Sequence, residues 1–299
     1  MLCIILIIVI IINIIIWRWI HSNECYSNDK FANDDILPYD VVVVGCARNI
    51  ETFLPGTKEK LEMIKRLFKS TIIYIYENDS NDKTLEILKQ WESDNFINLI
   101  SEKNVPGLRT ERLAHGRNIL YNKAMEHNFD YLIVMDLDNV NMDLSSDGIK
   151  GCFKMEEKWA VVCANQKGYY YDLWALRTYD DWMPFDCWYC VNVEKKSREY
   201  CFSSRYKNIP SDSKPIKVKS AFGGFAIYDK KYLTNCTYGN GLYDGVEVCE
   251  HVIFNKCILN NGGEIYINPA LINHNNTYFA QTFRIIYDAF IKLWYNVIY

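Results

Sequence analysis

Between residues 39 and 135 the chain alternates short, continuously apolar runs with longer stretches of helical period. In "YDVVVVGCARN" residues 41–44 are apolar at every position, as in a strand covered on both faces, and they lead into a small-residue turn at Gly45. "TKEKLEMIKRLF" places Leu61, Ile64, Leu67 and Phe68 three or four apart, which predicts a helix over 57–68. "STIIYIYENDS" predicts a second buried strand over 71–76, and "DKTLEILKQWES" a helix with Leu85, Leu88 and Trp91 on one side. "FINLIS" reads as a third strand, "TERLAHGRNILYNKAMEH" as a helix of about five turns, and "YLIVMD" as a fourth strand. Continuously apolar strands separated by helices predict an α/β domain with a mostly parallel sheet flanked by helices.

In such sheets ligands collect beyond the carboxyl ends of the strands. Three predicted strand ends are polar: Arg48 and Asn49 after the first, Glu77 to Asp79 after the second, Asp136 and Asp138 after the fourth. Asp at a strand end has two readings. It suits turns; alternatively, two carboxylates one residue apart form a site for a hard cation such as Mg²⁺ or Mn²⁺. The preceding helix adds Arg109, Arg112 and Arg117, whose guanidinium forks match phosphate. Arg112 and Arg117 are five apart, so they point in different directions on a helix, and a solvated face is the plain alternative.

After residue 150 the pattern loosens. "WAVVCANQ" reads as a strand, "IKVKSAFGGFAIYDK" as strands around a Gly-Gly corner and "GVEVCEHVIFNKCILN" as a helix. Gly223 and Gly224 either let backbone approach a ligand or form a turn. At the other end, residues 2–17 are apolar except Asn13, with Trp17, Arg18 and Trp19 following. About 20 residues of helix span roughly 30 Å, so residues 1–20 are expected to be a single-pass membrane anchor; the rival, a cleaved signal peptide, would call for a basic start, a shorter apolar run and a small-x-small cleavage site, which the segment lacks. Residues 21–38 then form a polar stem, residues 39–275 the main domain and residues 276–299 a C-terminal helix packed on the core or on the membrane. Arg18 as the flanking charge points to a cytoplasmic domain if the positive-inside rule is taken literally.

A net charge of −4 gives no basic face for nucleic acid. Eleven cysteines leave an odd thiol. "CWYC" (187–190) has redox or zinc half-site spacing but no second pair, so structural thiols or a disulfide, with Cys201 as a candidate partner, are the expectation. Asn-x-Ser/Thr triplets occur at Asn78, Asn235 and Asn275 and leave the compartment open.

Taken in order, "VVVVGCARN", "IYIYENDSNDKTLEIL", "RTERLAHGRNILYNKA" and "FDYLIVMDLDNV" resemble the nucleotide-binding half of the GT-A glycosyltransferases. "YYYDLWALRTYD", "VKSAFGGFAIYDKKYL", "VCEHVIFNKCIL" and "GGEIYINPALINH" resemble the cryptococcal capsule-associated α-1,3-mannosyltransferase family. The resemblance covers about residues 40–275. It implies a membrane-anchored, metal-dependent hexosyltransferase that takes mannose from GDP-mannose, or another hexose from a UDP-sugar, to a glycan, lipid or protein hydroxyl. It further implies that Asp136 and Asp138 hold the metal diphosphate and that Glu77 and Asp79 contact base or ribose. Arg117 and Asn118 match the family's Arg-Asn helix. Asp172, Trp174 and Arg177 match a Tyr-Asp-x-Trp-x-x-Arg stretch. His274 stands where a third metal ligand is expected, or is an ordinary surface or core histidine. Glu250 is expected to be a catalytic base in an inverting enzyme, an orienting carboxylate in a retaining one, or simply a helix-capping residue. The full "DLD" departs from the mannosyltransferase pattern, so mannose is less firmly implied than transfer. Two rivals remain: a membrane-tethered sugar or nucleotide-sugar binding module without catalysis, and a nucleotidyltransferase, which would need a Gly-rich basic loop after the first strand.

Overall fold

The strand of residues 41–44 extends at both ends into β1 (Leu37–Ala47). Val42 and Val44 pack with Ala114, Leu120, Leu132 and Val134 in one core cluster, while Val41 and Val43 point to the other face. All four are buried, which explains why the run is apolar without alternation. The computed structural model describes residues 36–239, 242–243 and 246–275. The expected anchor, nearly all of the stem, and the C-terminal helix lie outside the described residues. Among the described residues no helix is long and apolar enough to cross a membrane.

The first half follows the expected order: β1, α1 (Leu54–Leu67), β2 (Phe68–Asn78), α2 (Thr84–Ser93), β3 (Asn98–Glu102), α3 (Arg109–Met125) and β4 (Tyr131–Met135). Then come α4 (Ser146–Cys152), β5 (Val161–Lys167), β6 (Arg177–Thr178), α5 (Cys187–Asn192), α6 (Arg198–Cys201), β7 (Ile216–Ser220), β8 (Phe225–Asp229), β9 (Leu242–Tyr243), β10 (Val246–Glu247), α7 (Glu250–Asn260) and β11 (Ile265–Asn275). The helix predicted from residue 245 begins only at Glu250, because the residues before it pair as β9–β10.

Among the described residues, nine strands form one sheet in the order β3-β2-β1-β4-β8-β5-β11-β7-β6. Strands β3, β2, β1 and β4 run parallel. β8 lies antiparallel between β4 and β5, and β7 antiparallel to β11. The sheet is therefore mixed rather than mostly parallel. βαβ crossovers enforce parallel pairing in the first half, whereas β7 and β8, which follow one another through the Gly223–Gly224 corner, both run against β5 and β11.

"CWYC" forms no metal half-site. Cys190 pairs with Cys201, and Cys187 stays a buried free thiol. A second disulfide joins Cys236 to Cys257 on α7.

Candidate active site

The chain leaves β1 toward β2 on one side, and β4 is added on the other. The strand order therefore reverses between β1 and β4, where open α/β sheets form a crevice beyond their carboxyl ends. Asp136 and Asp138 stand there. Leu137 between them is buried against Gly45, where a Cβ would lie 2.7 Å from the Leu137 side chain. The Leu137 carbonyl accepts the Thr57 hydroxyl at 2.7 Å. With Leu137 pinned inward, its two neighbours turn the other way.

Arg117 organises the site from beneath. It is 4% exposed; its Nε donates to Glu250 Oε1 at 2.9 Å and a terminal nitrogen donates to Asp136 Oδ1 at 3.0 Å. The guanidinium also lies over Phe222, 5.1 Å from the ring centre. One buried cation thus links α3, the end of β4 and the start of α7. Burial alone would pull its pKa down, but Glu250 and Asp136 outweigh burial and hold it above the ordinary value. Asp136 still meets solvent over about a third of its side chain (35%), yet protein surrounds it. Burial, with the charge of Asp138 added, pushes its carboxyl up to about 7 against the pull of Arg117. Asp172 is pushed up by burial as well, opposed by the backbone N–H groups of Gly223 and Ala175. Its Oδ2 accepts the Gly223 N–H at 2.9 Å.

The Gly-Gly corner closes one wall. Gly223 and Gly224 have φ of +70° and +85°, a region that side chains rarely enter. A Cβ on Gly224 would stand 2.6 Å from Val140 and 3.1 Å from the Tyr171 hydroxyl. The Gly224 carbonyl accepts the Asp136 N–H at 2.8 Å, so the corner also sets the position of the first carboxylate. Gly224→Ala is expected to cost about 1–3 kcal/mol of stability and to displace Asp136. Thermal unfolding alongside nucleotide binding checks this: an unchanged melting temperature and unchanged binding would contradict it.

A buried amide network, absent from the sequence expectations, braces the corner. Gln166 and Asn273 donate to the Gly223 carbonyl, Asn141 donates to the Gly224 carbonyl, and Asn273 donates to Asn141. The signal for it was polar side chains inside otherwise apolar strands: Gln166 lies next to the end of β5, and Asn273 interrupts β11. His251, which follows Glu250 in "CEH", is buried as well. Its ring stacks on Phe222 with centroids 3.8 Å apart, and burial followed by the charge of Arg117 pulls its pKa well below the ordinary value.

Several expected ligands are committed elsewhere. Glu77 is buried and accepts from Ser80 N and Ser101 Oγ. Asp79 accepts the N–H groups of Asn104 and Val105. Glu77 therefore ties its own turn to β3, and Asp79 holds the loop after β3, so both carboxylates already have protein partners. Asn118 has both ends of its amide on residues 237–238, clamping that segment. Arg112 is tied to the Gly107 carbonyl and does not reach toward Arg117. Arg48 and Asn49 are exposed at the end of β1; Asn49 pairs with Ser80 and Asn81, and Arg48 lies close enough to Asp79 to help hold its carboxyl low. Arg177 binds the Trp174 and Leu176 carbonyls and Asp186, a structural role.

The three-ligand set of Asp136, Asp138 and His274 is not assembled. Among the described residues no three His, Cys, Asp or Glu side chains converge tightly enough to hold an ion. Asp138 uses Oδ1 to cap the turn at Val140, and Asp136 gives Oδ1 to Arg117. His274 is near enough to feel Asp143 and Asp138, but burial dominates and lowers its pKa. The two carboxylates alone still suit Mg²⁺ or Mn²⁺, which take one or two protein carboxylates and complete their shell with phosphates and water. The raised pKa of Asp136 comes first from its burial, with Asp138 adding to it and Arg117 opposing it.

Two surface depressions lie away from this cluster. One of about 450 Å³ sits at the opposite ends of the strands, beside Tyr39, Asp130 and Lys230. The other, about 460 Å³, is lined by Glu102, Asn104, Val105 and His115, on the loop that Asp79 holds. The second shares the strand-end side of the sheet with Asp136; the first does not, and carries none of the acidic cluster.

No protein-family model matches the chain, and no curated protein matches it. The cryptococcal mannosyltransferase resemblance thus finds no support there. Among solved structures the chain is similar to a mannosyltransferase, PcManGT of Pyrobaculum calidifontis, solved with GDP-Man and Mn²⁺ (13% identity, TM-score 0.48, covering 87% of this chain and 63% of that one). It is similar to S. aureus TarS residues 1–349 (13%, 0.44, 76% and 57%). It is also similar to glucosyl-3-phosphoglycerate synthase of Mycobacterium tuberculosis, solved with UDP (13%, 0.40, 79% and 69%). The chain spans less than two thirds of the first two. With TM-scores below 0.5, none of these likenesses bears on the chemistry of this chain.

Proposed function

We propose that the chain is a glycosyltransferase that moves a hexosyl group from a nucleoside-diphosphate sugar to a hydroxyl acceptor. The observation that carries this reading is the pair Asp136 and Asp138 at the reversal point of the sheet, backed by the buried Arg117–Glu250 pair. Asp136 and Asp138 would hold Mg²⁺ or Mn²⁺, which neutralises charge developing on a departing diphosphate. Arg117 keeps Asp136 in register with Glu250 and does so from too deep a position to be the main phosphate contact. Glu250, with Oε1 held by Arg117, keeps its second oxygen for a hydroxyl of donor or acceptor. The loop after β3, fixed by Asp79, offers backbone and the adjoining depression to the nucleoside. Mannose from GDP-mannose is the first choice of donor on the motif resemblance, with UDP-sugars next. Anchoring by residues 1–20 remains part of the proposal.

A thermal-shift panel of GDP, UDP and CDP, each with and without Mn²⁺, tests the reading. Ligand at 100 times its Kd adds about 2.7 kcal/mol to the folded state. One nucleotide is expected to raise the melting temperature, and only with metal. No shift with any of the three overturns the proposal. The rival binding module would give the shift without slow donor hydrolysis, so a hydrolysis assay on the same samples separates the two.

A further inference from the structure

The compartment, undecided in the sequence, is approachable through two independent features of the fold. The first is the pair of disulfides, Cys190–Cys201 and Cys236–Cys257. Such bonds persist in oxidising compartments and are rare where thiols are kept reduced. The second is the unequal setting of the three Asn-x-Ser/Thr triplets. Asn78 is 8% exposed at the end of β2, and its amide donates to Asp79, which clamps the loop after β3. A glycan there would have to pull the strand end apart. Asn275 closes β11, and its threonine lies outside the described residues. Asn235 differs from both. It is exposed in a tight turn with φ of +57°, a conformation that Asn tolerates well, and Thr234 and Thr237 around it are exposed too.

We propose that Asn235 is an N-glycosylation site and that the domain therefore faces the lumen or the cell exterior, opposite to the side Arg18 suggested. In the modification the Asn235 amide nitrogen displaces diphosphate from the anomeric carbon of a lipid-diphosphate-linked oligosaccharide. A C–N bond forms, the C–O bond to phosphate breaks, the amide proton goes to a base of the transferring enzyme, and the lipid diphosphate leaves. The cysteine inside the triplet does not block this. Its partner Cys257 lies 21 residues further along, so Asn235-Cys236-Thr237 is translocated before Cys236 can pair within the chain. After folding, the disulfide holds the turn beside Cys257, roughly 10 Å along α7 from Glu250. The glycan therefore projects at the far end of that helix from the acidic crevice.

The test is expression of the full chain in cells whose secretory pathway carries N-glycosylation, followed by intact mass and mobility with and without peptide-N-glycosidase. The readout is made on denatured chain, so it holds whether or not a variant folds. The wild type is expected to carry glycan, and Asn235→Asp to lose one. Thr237→Ser, which keeps the acceptor triplet, is expected to retain it, and Asn78→Asp to leave the count unchanged. A wild type without glycan, or an Asn235→Asp variant with the same count as wild type, overturns the proposal.

Discussion

On the proposed function, Asp136→Asn is expected to abolish metal-dependent nucleotide binding and to lower sugar transfer by roughly a thousand-fold, while the protein keeps its fold. The size follows from the several kcal/mol of charge stabilisation that a bound divalent ion supplies to a leaving diphosphate, about 4 kcal/mol being three decades in rate. The selectivity follows from the surroundings. Asn is the same size as Asp and can still accept from Arg117, and Arg117 keeps its second partner, Glu250. The loss in stability should stay near 1 kcal/mol, the usual net worth of one hydrogen bond. Steady-state transfer and the Mn²⁺-dependent thermal shift of the same preparation decide the matter. Turnover within tenfold of wild type would remove Asp136 from the site.

Arg117→Met should instead act first on folding. Glu250 is almost as buried as Arg117, and removing the cation strands its charge in the core. Breaking such a pair from one side typically costs about 3–5 kcal/mol. At roughly 2–4 °C per kcal/mol for a domain of this class, the melting temperature falls by about 6–20 °C. A second substitution, Glu250→Gln, removes the stranded charge and should restore a large part of that loss without restoring transfer. Stability and activity then separate in the double variant. A single Arg117→Met variant that melts within about 2 °C of wild type would show that the pair does not clamp α3 to α7.

Much of the first half was legible because its central strands, β1 and β4, are buried on both faces. Such strands must be apolar at every position, and the helices between them must show one apolar side, so strand and helix separate cleanly. The reading weakened where that rule lapses. β11 carries Asn268, Pro269 and Asn273 and changes register twice along β5, so it does not look like a strand. β10 is two residues long and was absorbed into the predicted helix that follows.

The place of the acidic pair could be read because it is local: carboxylates one residue apart after an apolar run stand at a strand end in any sheet of this kind. Glu77, Asp79 and Asn118 stand in equally suggestive positions but serve the scaffold. Their partners, Ser101, Asn104, Val105 and Tyr238, lie 24 to 120 residues away. Hydrophobic period and strand-end chemistry are short-range properties, and they sufficed for the α/β class, the order of elements and the two aspartates at the crevice. Which polar side chains stay available depends on donors and acceptors brought in from distant segments. Only the folded chain shows that Arg117 is a buried keystone, that the sheet is mixed, and that Asn78 is enclosed while Asn235 is not.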